Sequence, residues 1–320
     1  MRYNDQHIHV QTCLTFKNYA SPLKKNRGIQ KMLTVGMIGL GAMGEHMARN
    51  LANAGYLHAL YNRTTAKADK LGQELNVTVA QTPEALAADV DIVCLCVSRD
   101  EDVLAIIHTI KKTIRQNSVV IDMSTVSNHT AKQAAAFLAC CNVDFLDAPV
   151  SGGVEGAKSG KLAMMVGGDS AVLEKVRPIL TSMATRIVHI GATGSGQATK
   201  AVNQIMAAGI NQAVTEALAF ALAQQLPMDK VIDVISGGAA SSWFLQNRGL
   251  SMTENHYPAG FKVALHQKDL AICLQMGHDS GVSLPLTLQT SDDYQQLIAE
   301  GLGECDISAL YCLKTNLKTK

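Results

Sequence analysis

The sequence predicts an α/β protein in two parts: a doubly wound, mostly parallel sheet, followed by a second, all-α domain. Three observations carry the prediction. From Met32 to about residue 191 short apolar runs alternate with helical segments, a glycine-rich turn separates the first run from the first helix, and beyond Gly194 the strand signals stop. Such βαβ alternation lays crossover helices on both faces of a parallel sheet, whose strands then read as continuous apolar runs.

The elements follow in order. "LTVGMIGL" is a strand and "GEHMARNLANAG" a helix closed by Gly55. "LHALYN" is a second strand, "TTAKADKLGQEL" a helix and "VTVA" a short strand. In "TPEALAA", Thr82 is an N-cap and Pro83 the first helical residue, a position that needs no N–H. "DIVCLCV" and "SVVIDMS" are strands, residues 127–141 a helix and "VDFLDAPV" a further strand. "LAMMVGG" and "RIVHIG" are the last strands, and the rest shows helical patterns separated by "SGGAASSW", "NHYPAGF" and "GVSLPL". The boundary is expected near 192–195, with a dinucleotide domain over 32–193 and a helical domain over 194–320. Residues 1–31 carry Arg2, Lys17, Lys24, Lys25, Arg27 and Lys31 against a single acid, Asp5. They are expected to be dispensable, either a disordered extension or the product of an upstream start with Met32 as the functional beginning.

Composition narrows the function. A chain of 320 residues with 47% hydrophobic content can build such cores. A net charge of +1 and 4% aromatic residues supply neither the basic footprint nor the stacking side chains of a nucleic-acid binder. Small molecules are the expected partners. The 8 cysteines include no C-x-x-C pair and read as reduced core residues in a cytoplasm, with no metal site expected. The most apolar stretch, 198–225, is interrupted by Asn, Gln and Thr, so no membrane span is expected.

Gly39, Gly41 and Gly44 stand in G-x-G-x-x-G spacing between the first strand and the first helix. The first glycine permits the tight turn, the second lets backbone approach a pyrophosphate, and the third packs helix on strand. The helix N-terminus then faces the phosphate. The turn, with Leu40, Ala42 and Met43 between its glycines, is therefore expected to hold a dinucleotide in a Rossmann-type domain. About 20 residues further on, an NAD site usually carries an acid for the ribose hydroxyls. Asn62, Arg63 and Thr64 stand there instead. Arg63 suits a 2′-phosphate, so NADP is the expected cofactor and NAD the alternative.

From Ala198 to Gln225 the only charges are Lys200 and Glu216. A helix apolar nearly all round is normally buried in a core or an interface, and lysine is seldom buried without a partner. Either Lys200 snorkels to water or a site needs its proton. At about 1.5 Å rise per residue the segment spans roughly 42 Å, longer than a small domain needs. A homodimer or homotetramer is expected, with the helical half forming the contact.

Four stretches in this order resemble the β-hydroxyacid dehydrogenase family, which includes 3-hydroxyisobutyrate dehydrogenases and tartronate, glyoxylate and succinate semialdehyde reductases. They are "DMSTVS" (122–127), "DAPVSGGVEGAKSGKLAMMVGG" (147–168), "GSGQATKAVNQ" (194–204) and "FKVALHQKDL" (261–270). The resemblance implies hydride transfer between NADP(H) and a small β-hydroxy acid and its semialdehyde acid. It implies a loop bearing Ser124 beside the nicotinamide, a second cofactor loop at Val97 and Ser98, and a cofactor contact from Lys268. It makes Lys200 the proton donor and Asn203, three residues on and on the same helix face, the amide that orients substrate. Ser151, Gly152 and Gly153 then bind the substrate carboxylate, a role their hydroxyl and open backbone N–H groups suit, although the spacing alone suits an ordinary glycine turn equally. Gln204 stands where many members have a second asparagine, and Asn128 where proline is common. Two other readings use the same fold, a non-catalytic dinucleotide-binding scaffold and an imine reductase; the presence of Lys200, Ser151 and Lys268 favours the dehydrogenase.

Overall fold

Strands that are apolar along their whole length can be buried only between two layers of helices, and this chain builds that sandwich. The computed structural model describes residues 33–315; the expected extension at 1–31 lies outside them. Strands β1 (Val35–Ile38), β2 (Leu57–Tyr61) and β3 (Thr78–Val79) alternate with helices α1 (Gly44–Asn53) and α2 (Thr65–Leu75). Helix α3 (Pro83–Asp89) leads to β4 (Ile92–Leu95), α4 (Asp100–Ile110) to β5 (Val119–Asp122), and α5 (Asn128–Ala139) to β6 (Asp144–Asp147). Short β7 (Val150–Ser151), α6 (Gly153–Ser159), β8 (Leu162–Gly167), α7 (Ser170–Leu180) and β9 (Ala184–Gly191) complete the sheet half.

The strand order is β3-β2-β1-β4-β5-β6-β8-β7, with β9 beside β8. Pairing is parallel from β3 to β6 and antiparallel where β8 meets β6 and β7. Side-chain alternation splits the strands between two cores: Met37, Cys94 and Ile121 pack on one face, Ile38, Val93 and Val120 on the other. The order reverses between β1 and β4, and ligands of such sheets bind in the crevice at the strands' carboxyl ends there.

Local signals behave as the sequence leads one to expect. The Thr82 hydroxyl accepts the N–H of Ala85 at 3.2 Å with Pro83 as the first helical residue, and Ser127 caps α5 through Thr130 N at 3.1 Å. Two helices were not evident from the apolar pattern. Helix α4 begins with Asp100, Glu101 and Asp102, acids that suit the positive end of a helix, and α7 is capped by the Asp169 carboxylate on Ala171 N and Val172 N. "SGG" does not end in a plain turn either; Gly152 and Gly153, both at positive φ, start α6.

From Ser195 onward the described chain is helical: α8 (Ser195–Ala223), α9 (Met228–Ser236), α10 (Trp243–Thr253), α11 (Val263–Asp279) and α12 (Pro285–Ala299), then a 3-10 turn (Ile307–Ala309) and α13 (Leu310–Thr315). Helix α8 overturns part of the sequence reading. By length and apolar content it could cross a membrane, the interrupting Asn, Gln and Thr notwithstanding. Those polar residues are the reason it does not read as a simple buried apolar rod. Gln204, Asn211, Gln212 and Thr215 face inward, while Val202, Met206, Ile210 and Phe220 face outward.

The inward groups find partners on the helices around them. Asn211 Nδ2 donates to Tyr294 Oη and to the Ile307 carbonyl, both at 2.8 Å, and Gln212 Nε2 donates to Asp293 Oδ2 at 2.7 Å. Buried His266 lies 3.2 Å from both the Gln204 carbonyl and Tyr294 Oη. A carbonyl only accepts, so Nε2 carries the proton and Nδ1 accepts from the tyrosine hydroxyl. Burial pushes the His266 imidazole down to about 4, keeping it neutral. The cysteines were expected in the core; Cys94, Cys273 and Cys312 are there, but Cys140 ends α5 at the surface.

Candidate active site

The glycine turn after β1 shows a distinct need at each glycine. Gly39 has φ +96°, and a Cβ on it would collide with the Cys96 carbonyl; one on Gly44 would collide with the Gly39 carbonyl. A Cβ on Gly41 would meet nothing within 4 Å. The first and third glycines thus let backbone pack on backbone, and the middle one leaves the turn open to a ligand. Helix α1 starts there without a side-chain cap, so its N-terminal dipole can serve an anion. Asn62, at the end of β2, ties the turn down: Oδ1 accepts the Leu40 N–H at 2.9 Å while Nδ2 donates to the Thr64 carbonyl at 3.0 Å. Arg63 beside it is 89% exposed and 3.3 Å from Asp102 Oδ1. These residues suit a dinucleotide with an added phosphate.

Lys200 lies in the second turn of α8, only 8% exposed. Burial lowers its pKa from the ordinary lysine value; Asp269 opposes that and Lys268 adds to it. It makes no hydrogen bond or ion pair to another described residue, so its proton is available. Asn203 stands one turn on, with Oδ1 3.5 Å from Ser151 Oγ and Nδ2 2.7 Å from Gln204 Oε1. Gln204 Nε2 in turn donates to Asp269 Oδ2 at 2.6 Å. The expected substrate serine and amide are therefore neighbours, joined by a polar chain to α11.

Lys268 and Ser124 both engage the loops at the strands' carboxyl ends. An ammonium has three donors, and those of Lys268 meet Ser98 O at 3.0 Å, Thr125 O at 2.8 Å and Asp269 Oδ1 at 2.9 Å. The lysine therefore grips the loops after β4 and β5, at Ser98 and Thr125. Ser124 is buried, its Oγ accepting the Val97 N–H at 2.9 Å, so its hydroxyl braces one loop on the other.

Two residues missing from the sequence reading, Asp147 and Gln197, hold the two halves together, and a third, Asp122, lies beside them. Asp147, at the buried end of β6, accepts from Gly194 N at 2.8 Å and Gln197 N at 2.9 Å, capping α8 from across the sheet. Burial raises its pKa and these N–H groups oppose the rise. Asp122 is its register partner on β5; burial pushes that carboxyl up to about 6 against hydrogen bonds from Ser124, and its Oδ2 has no hydrogen-bond partner among the described residues. Gln197 spans the gap, Nε2 donating to Ser124 O at 2.8 Å and Oε1 accepting from Val126 N at 3.2 Å. An acid closing a buried strand was the one available signal, since such a charge needs partners. Nothing local says where those partners are.

Known proteins agree with this architecture. Residues 34–191 match the family model described as the NAD binding domain of 6-phosphogluconate dehydrogenase, and residues 194–313 the model for the NAD-binding region of NADP-dependent 3-hydroxyisobutyrate dehydrogenase. The chain is 38% identical to an uncharacterized oxidoreductase of Shewanella frigidimarina over 282 residues, 87% of this chain and 97% of that one. It is 37% identical to 2-hydroxy-3-oxopropionate reductase of Escherichia coli over 282 residues, 87% of this chain and 96% of that one. Among solved structures, 3-hydroxyisobutyrate dehydrogenase of Mycobacterium tuberculosis with L-serine superposes with a TM-score of 0.82 at 32% identity, over 88% of this chain and 99% of that one.

Proposed function

We propose, since this chain belongs to the β-hydroxyacid dehydrogenase family of NAD(P)-dependent oxidoreductases, that it interconverts a small β-hydroxy acid and its semialdehyde acid with Lys200 as general acid and base. The observation that carries this reading is a desolvated lysine with an uncommitted proton, one helical turn from Asn203, whose Oδ1 lies 3.5 Å from Ser151 Oγ. NADP(H), when bound, exchanges a hydride with the substrate carbon. Lys200 gives its proton to the oxygen that gains charge in reduction and takes one back in oxidation; burial lowers the cost of releasing it. Asn203 orients the substrate, and Ser151, Gly152 and Gly153 hold its carboxylate. Residues 32–193 form the cofactor domain and 194–320 the substrate and contact domain.

In the cofactor domain the open face at Gly41 and the N-terminus of α1 receive the pyrophosphate, with Leu40, Ala42 and Met43 supplying backbone. Val97, Ser98 and Thr64 line the same strand ends, and Lys268 acts through the loops it ties. Initial rates across glyoxylate and succinate, tartronate and methylmalonate semialdehydes, with NADPH and with NADH, test the reading. No turnover with any of them would sink it. Arg63 selects the phosphorylated cofactor: charge-assisted hydrogen bonds contribute about 1.5–3 kcal/mol, so Arg63→Ala weakens NADPH binding roughly 10- to 100-fold and spares NADH. Its exposed pairing with Asp102 adds little stability, and equal weakening of both cofactors would make the arginine structural.

The outward face of α8 supports a homo-oligomer. Val202, Met206 and Phe220 are 57%, 61% and 66% exposed on a helix whose Gln204, Asn211, Gln212 and Thr215 point inward, an arrangement that leaves apolar surface for a second copy. Sedimentation at micromolar concentration should give a dimer or tetramer. A monomer under those conditions would refute the contact.

A further inference from the structure

Three successive residues of the loop after β5 have backbone groups held by the helical half. Ser124 O accepts from Gln197 Nε2 at 2.8 Å, Thr125 O from Lys268 Nζ at 2.8 Å, and Val126 N donates to Gln197 Oε1 at 3.2 Å. Gln197 is fully buried, and both ends of its amide are used on one side of that loop. Its own N–H is fixed by Asp147 Oδ2 at 2.9 Å, so the side chain projects from an anchored helix turn. Lys200 follows three residues later on the same helix face. Ser124, through its hydroxyl on Val97 N, passes the loop's position to the loop after β4.

We propose that Gln197 is a positioning residue whose amide sets the distance between the cofactor-side loop at 124–126 and the turn of α8 that carries Lys200. It touches neither reacting group; it gauges the gap between them. The assignment rests on the reading of Lys200 as general acid.

Two variants test it. Gln197→Met keeps the volume without the amide, and Gln197→Asn keeps the amide but withdraws it by about one C–C bond, ~1.5 Å, too far to bridge Ser124 and Val126. Both should lower kcat about 10- to 100-fold, the scale on which misplacement of reacting groups acts, with cofactor affinity nearly unchanged and an altered isotope effect from 4-deuterated NADPH. In the cofactor-free protein, amide hydrogen exchange should quicken at 123–127 and stay as in the wild type in β1 and β2. Wild-type kcat in either variant, or lost kcat with unaltered exchange at 123–127, overturns the proposal. Exchange that rises across the whole chain in both variants marks a residue needed only for folding and overturns it as well. Lys200→Ala measured alongside separates the two ideas: full turnover there removes the general-acid reading, while exchange at 123–127 still reports on Gln197.

Discussion

Lys200→Ala is expected to leave the protein folded and able to bind NADPH while lowering kcat about 10²- to 10⁴-fold, the usual contribution of a general acid or base. Folding should survive because no described residue loses a hydrogen bond or ion pair with the lysine, and Asp269 keeps Lys268 and Gln204 as partners. Cofactor binding should survive because the glycine turn and Arg63 lie on the sheet half. Lys200→Arg should not restore turnover, since a guanidinium keeps its proton at working pH. The sign of the pH effect follows from the acid's role. Reduction needs the ammonium, so the wild-type rate falls as pH rises through the lysine's pKa, which burial sets below the ordinary 10.5. Oxidation needs the free amine and loses rate in the opposite direction. Both limbs should be absent in the alanine variant, and near-full turnover in that variant would remove Lys200 from the chemistry.

Gly196→Ala is expected to be the costliest single methyl in this helix. A Cβ there would collide with the Met165 carbonyl and lie 2.6 Å from the Asp147 carbonyl and 2.8 Å from Asp147 Oδ2. Two of those atoms are backbone of adjoining strands and cannot turn away, so the first turn of α8 must lift off the sheet and strain its cap. Overpacking typically costs about 1–3 kcal/mol; taking about 3 kcal/mol here, at roughly 2–4 °C per kcal/mol in a chain of this class, Tm falls by about 6–12 °C. Gly209→Ala, in the same helix, is the contrast. Its Cβ would meet only the Leu286 Cδ2 methyl at 3.3 Å, and alanine favours a helix over glycine by roughly 0.8–1.0 kcal/mol, so Tm should hold or rise. Equal melting of the two variants would show that the close approach at Gly196 does not govern the docking of α8.

Much of this protein is written locally. The strands are legible because a parallel strand buried on both faces must be apolar along its length, as in "DIVCLCV". Gly39, Gly41 and Gly44 are legible because each answers a need met within a few residues, and Lys200 because a lone charge in an apolar run asks for a reason. The acidic first turn of α4 and the cap of α7 were there to be read, but apolar period alone did not display them. Other features depend on residues far apart in the chain. Asp147 meets Gly194 and Gln197 across 47 and 50 positions, and Gln197 reaches Val126 and Ser124 across 71 and 73; no spacing records such partners. Composition marked α8 as apolar, but only tertiary packing decided that Gln204, Asn211 and Gln212 point inward while Val202, Met206 and Phe220 face out. Hydrophobicity states how much a side chain favours leaving water, whereas the face a helix buries depends on which neighbours can satisfy its polar groups, and those neighbours exist only once the chain has folded.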